Sequence, residues 1–118
     1  MRREARFAAI DVGTNSVLLL VAERDAEGRF SAVADAMEMT RLGEGVDRTG
    51  RLGERAMRDT LEAVRAFAAE ARGLGASGLA VVTTSAARDA ENGAAFLAKL
   101  RDAAGVEAEI LSGEEEAE

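Results

Sequence analysis

Phe7-Ala8-Ala9-Ile10-Asp11-Val12-Gly13-Thr14-Asn15-Ser16-Val17-Leu18-Leu19-Leu20-Val21-Ala22 decides how the chain folds. Two apolar runs, Phe7 to Ile10 and Val17 to Ala22, flank a short segment of turn chemistry. Gly permits φ > 0, and Asn and Ser bond to nearby backbone, so Val12 to Ser16 reads as a tight turn. A gap this short joins neighbouring antiparallel strands. Asp25-Ala26-Glu27-Gly28 is a second turn, and Phe30 to Met39 follows as a third strand. The first forty residues therefore read as a three-stranded meander.

Beyond the meander the period changes. Residues 41–53 are Gly-rich and charged and read as a loop. Met57, Leu61, Val64, Ala68 and Ala71 then recur at helical spacing, and Gly73 and Gly75 stop that helix. Gly78 to Thr83 is a continuous apolar run, as expected of a buried parallel strand. Phe96, Leu97, Leu100, Ala103 and Ala104 mark a second helix ended by Gly105, and Val106 to Leu111 is the fifth strand. The order is β-β-β-α-β-α-β in an α/β fold. A right-handed β-α-β crossover makes strands 4 and 5 parallel, and the simplest mixed sheet has the order 3-2-1-4-5. Ser112-Gly113 opens a Glu-rich stub at residues 114–118, read either as a solvated tail or as the first turn of a third helix.

Composition narrows the chemistry. The 118 residues hold 15 basic and 22 acidic side chains, for a net charge of −7. Phosphate repulsion argues against a nucleic-acid or anionic-membrane partner. Cys and His are both 0, which excludes thiol nucleophiles, His-based triads, disulfides and the usual zinc sites. Carboxylates, hydroxyls, Arg and oxygen-ligated metals are left. The longest strongly apolar run, Val17 to Ala22, is far too short for a membrane span. Met1 to Arg6 is basic but leads into no signal-peptide core, so the expected location is cytoplasmic.

In the 3-2-1-4-5 sheet the carboxyl ends of strands 1, 4 and 5 share one edge, where open α/β sheets bind ligands. Three polar clusters fall there. Asp11 with Gly13, Thr14, Asn15 and Ser16 suits phosphate, the carboxylate holding a divalent metal and the turn supplying N–H and hydroxyl donors. An ordinary Gly/Asn hairpin would use the same residues. Thr84, Ser85 and Arg88 follow strand 4, and Arg is a planar donor for phosphate oxygens. A surface Arg beside a helix start has the same appearance. The Glu run after strand 5 offers a water-activating carboxylate, or a solvated helix start. Arg41 in the Gly-rich loop either reaches an anion or faces solvent.

At these residues the chain resembles the N-terminal part of the exopolyphosphatase / guanosine-pentaphosphate phosphatase family. The resemblance runs nearly end to end. It rests on Ala9-Ile10-Asp11-Val12-Gly13-Thr14-Asn15-Ser16, Arg41-Leu42-Gly43-Glu44-Gly45 and Gly50-Arg51-Leu52. It continues in Thr84-Ser85-Ala86-Ala87-Arg88-Asp89-Ala90-Glu91-Asn92 and Ile110-Leu111-Ser112-Gly113-Glu114-Glu115-Glu116-Ala117. The first motif alone would also fit sugar kinases; the combination with the later two is specific.

The resemblance implies an actin-like fold of ribonuclease-H-like domains, with residues 1–118 forming the N-terminal portion of the first. It implies that Asp11 lies near a divalent metal, Mg²⁺ being the expectation, and that the turn from Gly13 to Ser16 is the family's first phosphate loop. Thr14 stands where Ser is frequent in the family and keeps the hydroxyl. Arg88 looks like a phosphate-binding arginine, and Glu116, with Glu115 as second choice, looks like the base that positions water. The implied substrate is polyphosphate or guanosine pentaphosphate. The family's second phosphate loop, Asp-x-Gly-Gly-Gly-Ser-x-Glu, is not among these residues, so the segment is expected to be truncated and inactive alone. Two other readings stand beside it: a lobe of an actin-like sugar kinase or ATPase, and a non-catalytic interaction fragment. A homodimer is the self-association open to a segment with uncovered apolar surface.

Overall fold

The computed structural model describes residues 5–111. The strands are β1 (Ala5–Val12), β2 (Ser16–Arg24), β3 (Phe30–Met39), β4 (Gly78–Thr84) and β5 (Ala108–Leu111). They form one sheet in the order β3-β2-β1-β4-β5. β1 is antiparallel to β2 and parallel to β4, and β4 is parallel to β5. The sheet order and strand directions match the sequence expectation, so the carboxyl ends of β1, β4 and β5 do share an edge.

Alternation along the strands selects one face for the core. Ala8, Ile10 and Val12 of β1 and Val17, Leu19 and Val21 of β2 are buried, as period 2 requires. The two long helices cover this face. α2 (Glu54–Gly73) buries Ala63, Val64, Phe67, Ala68 and Ala71, and α4 (Gly93–Ala104) buries Phe96, Leu100, Ala103 and Ala104. Arg72 of α2 donates from Nη2 to the Ala104 carbonyl at 2.6 Å, satisfying one of the unpaired acceptors at the end of α4. On the opposite face Phe7, Leu18, Leu20, Met37 and Met39 are exposed. The all-apolar run from Val17 to Ala22 is thus buried on one side only.

Two short helices depart from the expected order. α1 (Val46–Thr49) interrupts the 41–53 loop, and α3 (Ser85–Asp89) forms directly at the end of β4. α1 is bracketed by Gly45 and Gly50, both with φ near the left-handed region at 80° and 71°, where only Gly is unstrained. α3 starts because the buried Thr84 accepts at Oγ1 from the Ala87 N–H, at 3.3 Å. α4 begins three residues before the expected periodic positions. Its first residue must be glycine, since any Cβ at Gly93 would run into the Ala87 and Arg88 carbonyl oxygens.

Candidate functional site

The turn between β1 and β2 is fixed by its own carbonyls. Gly13 N–H donates to the Ser16 carbonyl at 2.9 Å. The Thr14 carbonyl accepts from Gly43 N–H at 2.8 Å, and the Asn15 carbonyl accepts from Thr40 and Arg41 N–H at 3.1 and 3.0 Å. Each carbonyl lies antiparallel to the N–H of its own trans peptide. Tying down the Thr14 and Asn15 carbonyls therefore turns the Asn15 and Ser16 amides away from the 40–43 loop. Thr14 and Asn15 donate to no other described residue, from backbone or side chain. The turn thus holds a set of fixed, uncommitted donors, the arrangement an anion nest requires. Gly13 itself contributes conformation, because its N–H is already engaged.

The approach of the loop explains two further residues. A Cβ at Gly43 would meet the Thr14 Cβ at 3.1 Å, so a side chain there would push on the turn. Arg41 has φ 53°, the only positive φ outside glycine among the described residues. Left-handed backbone costs a non-Gly residue about 1–3 kcal/mol, and the Arg41 N–H bond to Asn15 helps hold it. Thr14, Asn15, Arg41 and Gly43 line one cavity of about 420 Å³ with Leu42, Leu52, Thr84, Ala86 and Ala87. The 41–44 loop and the end of β4 therefore border the same cavity as the β1–β2 turn.

Among the described residues, Asp11, Gly13, Ser16, Ser85 and Arg88 do not line this cavity. Asp11 is exposed near the end of β1, between Leu18 of β2 and Val82 of β4. It has no hydrogen-bond or ion-pair partner among the described residues. Its carboxylate is therefore free to take a metal ligand position. No group of three or more Asp or Glu among the described residues could hold one. A single carboxylate suits Mg²⁺, which keeps several waters and takes its other ligands from phosphate. Ser85 is half-buried at the start of α3. Arg88 is exposed on α3, and its Nε donates to Asp89 Oδ1 at 2.9 Å. The hydrogen bond and charge of Asp89 push the guanidinium pKa further up, so Arg88 stays cationic. Glu115 and Glu116 lie outside the described residues.

One positioning residue has no assigned role in the sequence reading. Asn92 accepts at Oδ1 from Leu52 N–H at 2.8 Å and donates from Nδ2 to the Leu52 carbonyl at 2.9 Å. Beside it Glu91 N–H donates to the Gly50 carbonyl at 2.8 Å. These bonds clamp the 50–52 loop to the α3–α4 junction, and so to the segment that carries Arg88. The signal in sequence is the Asn that ends the Thr84 to Asn92 motif, but its partner is 40 residues away.

Comparison with known proteins identifies the family and the fold. The model of the Ppx/GppA phosphatase family matches residues 20–118. The chain belongs to the Ppx/GppA phosphatase family. Exopolyphosphatase 2 of Mycobacterium tuberculosis (strain H37Rv) is 40% identical over 121 residues, which is 96% of this chain and 38% of that protein. Exopolyphosphatase 1 of Mycobacterium bovis is 34% identical over 111 residues, 94% of this chain and 32% of that one. The chain thus spans well under half the length of these relatives. The crystal structure of the Aquifex aeolicus Ppx/GppA family member superposes with a TM-score of 0.90 at 29% identity, covering 97% of this chain and 37% of that chain. The fold is the actin-like, ribonuclease-H-like one of that family.

Proposed function

We propose that this segment is the first phosphate-binding part of a phosphatase that removes terminal phosphoryl groups from inorganic polyphosphate, guanosine pentaphosphate or both. The observation that carries the reading is the turn at Gly13 to Ser16. Its carbonyls are tied to the 40–43 loop, which leaves the Asn15 and Ser16 amides and the Thr14 and Asn15 side chains as oriented donors. Its family membership and exopolyphosphatase relatives point the same way.

In this reading the turn amides and hydroxyls bind the terminal phosphoryl oxygens. Arg88, cationic at any working pH, adds charge-assisted hydrogen bonds to the same anion. Arg41, held by Asn15, faces the cavity that leads to the turn. Asp11 would hold the divalent metal, which supplies charge neutralisation on the phosphate oxygens when bound. Glu116 positions a water in line with the leaving oxygen and accepts its proton, with Glu115 as its substitute. Phosphoryl transfer needs positioning and electrostatics rather than a covalent nucleophile, which a chain without Cys or His can provide. The 118 residues lack the family's second phosphate loop, so alone they bind phosphate without turning it over.

A chimera tests this reading. Residues 1–118 replace the matching segment of a full-length exopolyphosphatase relative, and orthophosphate release is measured from polyphosphate and from guanosine pentaphosphate. Glu116→Gln in the chimera should lower turnover about 10²–10⁴-fold with little change in substrate binding. Unchanged turnover would remove Glu116 from the mechanism. Phosphoryl transfer from ATP to a sugar, without polyphosphate hydrolysis, would favour the kinase-lobe reading.

A further inference from the structure

β4 ends in two adjacent threonines. Leu79-Ala80-Val81-Val82 is apolar, and Thr83-Thr84 follows, the pair only 1% and 7% exposed. Thr83 lies on the core face with Val81, as alternation requires. Thr84 is buried where the chain turns into α3. Val would fill the core position at 83 with nearly the same shape and would need no partner, whereas a buried hydroxyl must be hydrogen-bonded. Thr83 finds its partner on the neighbouring strand: Oγ1 donates to the Val12 carbonyl at 3.2 Å. Thr84 bonds the other way, along the chain, accepting at Oγ1 from the Ala87 N–H at 3.3 Å.

These two bonds reach the two halves of the candidate site. The Val12 carbonyl shares one planar peptide with the Gly13 N–H, and that N–H donates to the Ser16 carbonyl at 2.9 Å. Thr83 therefore fixes one end of the peptide that opens the β1–β2 turn, and Ser16 fixes the other. The 40–43 loop holds the Thr14 and Asn15 carbonyls, so Thr83 supplies the anchor from the β4 side. Thr84 caps α3, and α3 carries Arg88. Among the described residues no hydrogen bond or ion pair runs directly between 13–16 and 85–89. The relation between turn and arginine is thus set through the sheet, and its last step is the Thr83–Thr84 pair.

We propose that Thr83 and Thr84 are positioning residues for phosphate binding: Thr83 holds the turn, Thr84 holds Arg88, and together they keep the two at the separation a single phosphoryl group spans. The inference rests on the phosphatase reading above and adds to it two residues that act through others. An anion at the turn draws charge-assisted bonds from Arg88 only where the guanidinium meets its oxygens in good geometry. Two β-branched hydroxyls on one strand make a stiff spacer, because branching at Cβ restricts χ1.

The test is a double-mutant cycle read by calorimetric titration of the 118-residue chain with tripolyphosphate in Mg²⁺. Thr83→Val and Thr84→Val keep the side-chain shape and remove the hydroxyl. Each should weaken tripolyphosphate binding about tenfold, the lower end for losing an outer hydrogen bond that orients a binding group. Thr83→Ser and Thr84→Ser should restore most of the affinity. Arg88→Gln should cost less in the Thr84→Val protein than in wild type, falling short of additivity by about threefold or more. A merely structural role predicts additive losses. Additive losses, wild-type affinity in the Val variants, or Ser variants as weak as the Val variants overturn the proposal. Amide spectra of the unliganded proteins separate it from the reading it rests on. Thr83→Val should move the Gly13 to Ser16 resonances, and Thr84→Val those of residues 85–89. Resonances that stay in place overturn the positioning role even where tripolyphosphate binds. Moved resonances in a chain whose wild type binds no tripolyphosphate would keep the two anchors, refute the turn as a phosphate site, and with it the pair's part in phosphate binding.

Discussion

Asn92→Ala removes both side-chain bonds to Leu52, at 2.8 and 2.9 Å. Leu52 is only 4% exposed, so water replaces those bonds poorly. Each unsatisfied backbone group costs about 1–3 kcal/mol, and the pair together about 2–6 kcal/mol by the same measure. For a chain of this size that lowers Tm by roughly 6–30 °C, at about 3–5 °C per kcal/mol. Asn92 also occupies the N-cap position of α4, yet its side chain makes no capping bond there. The clamp and cap accounts therefore separate. Asn92→Asp keeps an excellent N-cap residue but cannot donate to the Leu52 carbonyl and places a negative charge against it. It should be destabilised about as much as Asn92→Ala. Thermal unfolding of the three proteins, with amide exchange at Leu52, reads the result. An Asn92→Asp protein as stable as wild type, or an unchanged Leu52 exchange rate in Asn92→Ala, would refute the clamp.

Three further outcomes follow from other residues. Gly93→Ala drives a Cβ into the Ala87 and Arg88 carbonyls. Overpacking of this kind costs about 1–3 kcal/mol or more, so Tm should fall and phosphate binding through Arg88 weaken; an unshifted Tm would contradict it. Asp25 is held below the usual carboxylate range, chiefly by the Arg29 N–H and opposed by some desolvation. Its contribution to the β2–β3 turn is complete above the ordinary carboxylate pKa and disappears as pH falls through the lowered value. Amide exchange at Arg29 should therefore accelerate only in acid, and Asp25→Asn should abolish that pH dependence. Asp11→Asn should weaken the Mg²⁺ dependence of polyphosphate binding about tenfold, the lower end for losing a residue that supports a metal site, while leaving Tm nearly unchanged. Metal dependence identical to wild type would remove Asp11 from the metal site.

The sheet was legible because each strand carries its own signal. The Val12 to Ser16 turn sets an antiparallel pair, and the β4-α4-β5 crossover sets a parallel one; the order 3-2-1-4-5 is the simplest union of the two. α1 and α3 were not legible, since four or five residues are too few to show a period. α3 depends on a single hydroxyl, that of Thr84. The β1–β2 turn was visible as Gly-Thr-Asn-Ser, but its rigidity comes from Thr40, Arg41 and Gly43, more than twenty residues downstream. The Asn92 clamp and the Thr83 bond to Val12 likewise depend on contacts between distant segments. Local pattern identifies donors; only the fold shows which are already engaged and which are free.

The central claim is that the Gly13–Ser16 turn is the terminal phosphate site. Its most direct test is an amide NMR titration of the ¹⁵N-labelled chain with tripolyphosphate in Mg²⁺. Saturable shifts should concentrate at Thr14, Asn15 and Ser16, and Arg88→Gln should weaken the binding about tenfold or more, as for loss of a charge-assisted bond of about 1.5–3 kcal/mol. Shifts that never saturate, or that leave those three amides unmoved, would contradict it.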